Sequence, residues 1–447
     1  GACNWSCGGQ SCECNDSFQR IVKPVAAYCQ PNCSFVTYAV LAHCSASSSP
    51  SIAPKCNAHC SIFPIACRSS CKCVWFEHRC ACSLSHFYEP RTMTHACIHS
   101  IGCANPPQRL TRAQWVEMAS SVSPKSLDRA VILRLAERSG IDGRWCASAQ
   151  EVGKPAFFQA DPEGHGPTTS QRMQLWASAA RQMSTQACLQ AIDRAKISAG
   201  AITHIITASC TGFEAPGLDA WLIETLGLSC HCRRTNVGFM GCHAAVNALA
   251  IARDVILANP DAVVLVCCAE VSSAHLHYGI RLDQLIANTL FSDGSAAVIV
   301  ARGDPHTHPS IAGTHSIMMP NTASEMAWHI GDHGFEMTLG ARVPEIIESH
   351  IGEWARNALA KHSLDLQDIR GWAIHPGGPR VIDAVIASLA IANESGDASR
   401  CVLQNFGNMS SATLLFILSE LLERKIARPW VGLAFGPGLA GEMLVVE

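Results

Sequence analysis

The sequence predicts an α/β fold made of two fused halves built alike, and three observations carry that reading. Short β-branched apolar runs alternate with longer segments of helical apolar spacing, the pattern of layered sheets and helices. An apolar content of 48% over 447 residues supplies ample core material. One arrangement occurs twice: a glycine, a polar residue, a helix of about four turns, a short polar link and a buried strand. It begins at Gly241 in GCHAAVNALAIARDVILANPDAVVLVCCAE and at Gly407 in GNMSSATLLFILSELLERKIARPWVGLAFGPG. Cys242 lies 21 residues before Val263, and Asn408 lies 22 before Trp430. Cys242 and Asn408 are therefore expected at equivalent helix starts.

The first 92 residues stand apart. Fourteen of the 25 cysteines fall there, in pairs such as Cys12/Cys14, Cys71/Cys73 and Cys80/Cys82. Such density suits a secreted disulfide scaffold, yet no basic segment followed by an apolar core leads the chain. A zinc site wants CxxC-like thiolate pairs, and no CxxC is present. No helical or strand periodicity lasts a full element, and the first methionine is Met93. The expectation is a Cys-rich N-terminal segment over 1–92, non-native or disordered, arising from translated upstream sequence or a misplaced start. An N-terminal half over 93–310 and a C-terminal half over 311–447 follow it.

Beyond it the elements read in order. Residues 168–196 open with capping residues and keep apolar positions at helical spacing, so they form a long helix. The runs THIITAS (203–209), AVVLVCCAE (262–270), AAVIVAR (296–302), GWAIHPGG (371–378) and WVGLAFGPG (430–438) are short, β-branched and bounded by glycine, proline or polar residues, and read as buried strands. Net charge is −3 with no basic run, which argues against a nucleic-acid partner. No apolar run is expected to reach the ~18 residues of a membrane span, and a cytoplasmic location is expected.

One cysteine invites chemistry. Cys242 sits between Gly241 and a helix expected to start near His243. Free N–H groups and the helix dipole there favour an anion and can lower a thiol pKa from ~8.5 toward ~3.5–7.5, giving the nucleophilic thiolate. Gly238 and Gly241 allow a tight turn and close approach of a substrate. His243 is adjacent, but neighbouring helical side chains diverge. His375, ending the strand GWAI before PGGP, can project from a strand's carboxyl edge into a crevice. Asn408 is either a helix cap or an amide donor aimed at a developing oxyanion.

The segments GFMGCHAA, LFSDGSAAVIV, AIHPGGPRVID, NFGNMSSATLLFIL and AFGPGLAGE, in that order, resemble the type III polyketide synthases, the chalcone-synthase-like condensing enzymes. IGCANPP (101–107) resembles the family's start and ASCTGFEAPGLD (208–219) a further segment. The resemblance runs from about Met93 to the C-terminus. It implies a thiolase-like fold, two fused pseudo-repeated α/β halves in a layered α-β-α-β-α arrangement, and a homodimer. It implies a catalytic triad of Cys242, His375 and Asn408. Phe291 matches an aromatic gatekeeper between a CoA tunnel and the cavity, and Met337 sits where plant members carry a second phenylalanine. Arg134 and Arg138, one helical turn apart and on one face, match positions that hold CoA phosphates. Cys210, Ser272, His275, Trp328 and Ser410 fall at cavity-lining positions.

The resemblance further implies acyl-CoA and malonyl-CoA as substrates, joined by decarboxylative condensation and cyclised to a pyrone, resorcinol or related aromatic. No metal site and no cofactor beyond these substrates are implied. Departures point to a bacterial-type member. Ala215 replaces a methionine that reaches into the partner's cavity, Trp328 is bulky where plant enzymes have glycine, and Ala434 replaces the first glycine of GFGPG. One rival reading is a ketoacyl synthase III-like enzyme that uses acyl carrier protein; PGGP after the histidine and the FGPG turn favour the polyketide branch. A second is a Cys-rich metal-binding or redox protein with a degenerate condensing domain, against which the intact triad speaks.

Overall fold

The structure, a computed structural model, describes residues 24–26, 37–39, 94–124, 126–149, 156–159, 161 and 165–447. The chain divides into two compact units, Gly1–Tyr88 and Glu89–Glu447. In the first, the described residues form two short strands, β1 (Pro24–Ala26) and β2 (Thr37–Ala39), paired antiparallel. Otherwise the expectation for 1–92 lies outside the described residues.

The second unit starts with β3 (Ala96–Ala104), β4 (Arg109–Thr111), α1 (Arg112–Val122), α2 (Arg129–Arg138) and β5 (Gly143–Trp145). It continues with α3 (Thr169–Ala195), β6 (His204–Ser209), α4 (Leu218–Leu226), β7 (Arg233–Gly238), α5 (Ala244–Ala258), β8 (Val263–Val271), α6 (Leu282–Leu290) and β9 (Asp293–Arg302). The second half holds β10 (Ile311–Met318), the hairpin β11 (Met326–Gly331) and β12 (Gly334–Leu339), and α7 (Val343–Ala360). It ends with β13 (Gly371–Ile374), α8 (Pro379–Leu389), α9 (Asp397–Phe406), α10 (Ser411–Glu423), β14 (Trp430–Gly436) and β15 (Ala440–Val446). The long helix over 168–196 is α3. Thr168 caps it in a capping box with Gln171, and Lys196 closes it in the left-handed region at φ 55°.

The duplication appears in the sheets. The first has the order β3-β9-β8-β6-β7 and the second β10-β15-β14-β13. In both, the first two pairings are antiparallel and the third is parallel. The strands thus match one for one, and the first half adds β7 on its edge.

Alternation along each strand builds the layers, because successive side chains point to opposite faces. Val264, Val266 and Cys268 of β8 pack with α5 and α10, as do Trp430 and Ala434 of β14 and Leu444 of β15. Leu265 and Cys267 face α3 and α4 instead. Val431, Leu433 and Met443 face α7 and α8. The result is helices, sheet, central helices, sheet, helices, the five layers expected. Ala244, Ala245, Ala248 and Ala252 keep α5 slim enough to sit between the sheets, and all are fully buried. Removing a central side chain such as Leu249 would cost about 2–5 kcal/mol. This central helix corrects one expectation: Gly241–Ala258 does meet the length and hydropathy of a membrane span. Its place between two sheets identifies it as a core helix.

Candidate active site

Cys242 lies in a 3-10 turn, Gly241–His243, that leads into α5. Gly241 has φ +78°, and a Cβ there would run into Pro437. Only glycine lets the FGPG turn of the second half lie against the Cys242 turn. Cys210 holds the same turn: its sulfur accepts the Gly241 N–H at 3.0 Å and donates to the Gly241 carbonyl at 3.4 Å.

His375 follows β13, which is too short to continue past Ile374. Its N–H donates to the Leu433 carbonyl at 2.7 Å. The ring is 1% exposed, and both of its nitrogens lack a partner. Burial pushes the imidazole down to about 3, and His243 acts in the same direction. Asn408 is also 1% exposed. Its backbone forms a parallel bridge with Phe291: its N–H donates to Leu290 O at 3.0 Å and its carbonyl accepts from Ser292 N at 2.8 Å. Its side-chain oxygen accepts the Ser410 N–H at 2.9 Å, and its amide nitrogen is the donor toward the Cys242 sulfur. Ser410 adopts φ +48°, ψ −127°, a sparsely populated region that costs a non-glycine residue about 1–3 kcal/mol.

The expected low thiol pKa is corrected here. Burial pushes the Cys242 thiol up to about 12 and the buried Glu270 carboxyl adds to the effect, while hydrogen bonds from Ser410 and Asn408 act the other way. Desolvation outweighs the helix terminus because the sulfur sits at the bottom of the site. Burial thus disfavours the charged form of both the thiol and the imidazole.

Cys242, His375 and Asn408 line one cavity of about 300 Å³, together with Phe291, Met337 and Arg138. Arg138 is exposed and marks the entrance, and the exposed Arg380, in the first turn of α8, lines it too. Arg134 is exposed on α2 and lies outside this lining. Beyond Phe291 and Met337 are two voids. One of about 30 Å³ is bounded by Cys242, Cys210, Ser272, Trp328 and Ser410; one of about 20 Å³ by Ser272, His275 and Trp328. Phe291 and Met337 border all three spaces.

The hairpin places Trp328 and Met337 directly opposite each other. The indole N–H of Trp328 donates to the Cys210 carbonyl at 2.7 Å, which pins the ring across the inner space. His275 stacks on Phe335 at 4.2 Å. Its Nε2–H donates to Thr211 O at 2.6 Å and its Nδ1 accepts from Phe335 N at 2.9 Å, so it is neutral and fixed. Burial pushes it down to about 3.

Two residues escaped the sequence reading. Glu270 is fully buried and accepts from Ser411 Oγ, from Thr211 Oγ1 at 2.7 Å and from the Cys210 N–H at 3.0 Å. It ties the Cys210 turn to the first turn of α10. Its signal was a lone carboxylate in the otherwise apolar strand AVVLVCCAE. Arg380 had no such signal, since only the fold brings α8 beside α2. Among the described residues no group of three or more metal-ligating side chains gathers.

Known proteins share this architecture. Residues 88–305 match the N-terminal domain of chalcone and stilbene synthases, and residues 311–447 match their C-terminal domain. A 1,3,6,8-tetrahydroxynaphthalene synthase of Streptomyces peucetius is 31% identical over 372 residues, which cover 81% of this chain and 95% of that protein. An alpha-pyrone synthesis polyketide synthase-like protein of Mycobacterium tuberculosis is 29% identical, covering 79% of this chain and 91% of the relative. The crystal structure of a polyketide synthase from the brown alga Ectocarpus siliculosus superposes with a TM-score of 0.77 at 28% identity, over 80% of this chain and 100% of that one. These matches favour the polyketide reading over a carrier-protein-dependent ketoacyl synthase and over a degenerate condensing domain. Two matched domains, their order and the layered fold place this chain in the chalcone and stilbene synthase family, as a bacterial-type type III polyketide synthase, a decarboxylating condensing acyltransferase.

Proposed function

We propose that Cys242, His375 and Asn408 act as the catalytic triad of this synthase. The observation that carries the reading is the buried His375, whose two unpartnered nitrogens belong to the same cavity as the Cys242 sulfur and the Asn408 amide. Buried polar atoms are nearly always paired, so a ring left without partners is held for a ligand. As an acyl-CoA thioester arrives, the Cys242 proton passes to His375, the sulfur attacks the carbonyl, and CoA leaves as the thiol with that proton. Malonyl-CoA then loses CO2. His375 and Asn408 donate to the thioester oxygen of the resulting enolate, each donor contributing about 2.7–4 kcal/mol. The enolate carbon attacks the Cys242-bound acyl carbon and the sulfur departs as thiolate. The lengthened chain reloads on Cys242 for the next round, with the CoA thioesters as the only other reactants.

Arg138 and Arg380 hold the CoA phosphates at the entrance, with Arg380 taking the place expected of Arg134. Phe291 and Met337 separate the tunnel from the inner space. Each inner void has room for about a water molecule, so Trp328 stops the growing chain early. Relatives are named for naphthalene and pyrone products; the closed inner space favours a short chain that cyclises to a pyrone.

A homodimer fits the surface of the first half. Strand β7 is the edge of its sheet and largely exposed, and Phe213, Phe239 and Met240 are exposed beside it. An open edge with an apolar flank calls for a self-complementary partner. The enzyme works in the cytoplasm, where both thioesters are at hand. The purified chain with malonyl-CoA and a panel of acyl-CoA starters, and no carrier protein, is expected to give products of more than one condensation. Cys242→Ala is expected to show neither acyl-enzyme by mass spectrometry nor product; product from that variant would overturn the assignment.

A further inference from the structure

Beside the gate lies a buried cation that the mechanism does not use. Arg144, in β5, is 2% exposed, and among the described residues no ion pair engages it. Its guanidinium donates instead to three carbonyls at the end of α6: to Asn288 at 2.9 Å and Phe291 at 3.2 Å through one nitrogen, and to Thr289 at 2.5 Å through the other. The plane stacks on Trp115, 4.2 Å from the ring centre. The neighbouring carboxylate, Asp293, is occupied by the Ala147 N–H at 2.6 Å and by the Ser273 N–H at 2.7 Å.

These carbonyls are the ones a helix C-terminus leaves without partners, and a planar five-donor fork suits them as an ammonium does not. They also flank the gate. Phe291 is the residue after α6, and its backbone neighbours clamp Asn408 on the far side, through Leu290 O and Ser292 N. The Ser292 hydroxyl continues the zipper, exchanging hydrogen bonds at 3.0 Å with both the N–H and the carbonyl of Trp145. A chain of direct contacts thus runs from Arg144 through the 288–292 backbone to Asn408.

We infer that Arg144 is a positioning residue: through the carbonyls of Asn288, Thr289 and Phe291 it sets the rung that carries both the gate Phe291 and the amide Asn408. This rests on the triad role proposed for Asn408. Neither Cys242 nor His375 belongs to this rung, so acyl loading and malonyl decarboxylation separate. In Arg144→Lys, loading of Cys242 per folded molecule, read by mass spectrometry, stays within about twofold of wild type, a difference worth about 0.4 kcal/mol. Decarboxylation kcat falls by up to about 100-fold, the effect of a displacement of about 1 Å at a reacting group. KM for malonyl-CoA is unchanged, since Arg138 and Arg380 are untouched.

In Arg144→Ala, millimolar guanidinium restores part of the decarboxylation rate and sodium at equal ionic strength does not. Loading and decarboxylation falling together, an unchanged ratio between them, or equal recovery with sodium would each overturn the inference. Wild-type protein that loads acyl groups but does not decarboxylate malonyl-CoA would instead overturn the proposed function.

Discussion

Trp328 offers the sharpest test of how this protein limits its product. The ring meets His275 edge-on at 5.7 Å and Phe335 at 6.0 Å, and lies 6.5 Å from Phe291. Its N–H holds the Cys210 carbonyl, and voids of about 30 and 20 Å³ border it. Trp328→Ala joins those voids into one chamber with the volume of the ring added. Loss of a fully buried tryptophan costs about 3–5 kcal/mol, and the half-buried Trp328 falls below that figure. The Cys210 carbonyl left without its donor adds about 1–3 kcal/mol, less where water enters the new chamber. Trp328→Phe keeps most of the volume and loses only the donor, so its cost is the second figure alone. Liquid chromatography with mass spectrometry of products, alongside urea unfolding of both variants, checks each part. Trp328→Ala is expected to shift the ladder to longer chains and Trp328→Phe to keep wild-type length. An unchanged ladder from folded Trp328→Ala would refute the view that this ring stops chain growth.

Other outcomes follow from the same geometry. Arg380→Ala and Arg138→Ala should each raise KM for CoA thioesters about 1.4- to fivefold, as suits exposed charge contacts of about 0.2–1 kcal/mol, with kcat unchanged and the effect fading in salt; Arg134→Ala should do neither. Gly241→Ala should abolish acyl loading, because φ +78° and Pro437 both exclude a Cβ; wild-type loading would show that the turn can yield. Stability should fall with acidity. His275 and His375 ordinarily take a proton near 6.5 but are held to about 3 by burial. The unfolded chain therefore binds more protons between those values, and stability, full above 6.5, drops by about 1.4 kcal/mol per pH unit per histidine. Asp293, raised from 3.8 to about 6, works the opposite way in its own window. His275→Gln should flatten the acid slope of urea midpoints; an unchanged slope would count against a neutral buried His275.

The fold class, the long capped helix, the five strands and the duplication were legible along the chain, because periodicity and capping are local properties of sequence. Cys242 and Asn408 stood out for a related reason, each following a glycine at the start of a helix, whereas Phe291 was found only through the family resemblance. What local pattern could not carry was environment. The thiol at Cys242 looks activated by a helix terminus, yet burial under the second half drives it the other way, and depth in a fold is not written in neighbouring residues. Arg134 and Arg138 are equivalent by helical spacing, but only Arg138 lies on the cavity, and its companion Arg380 comes from a helix more than 200 residues away. The apolar run of α5 has a membrane-like composition, and two sheets closing over it make it a core helix. Sequence by itself determined which elements form and which groups could react. Tertiary packing alone decided solvation, partners and free volume, because each depends on atoms that the chain brings together only once both halves have closed around the central helices.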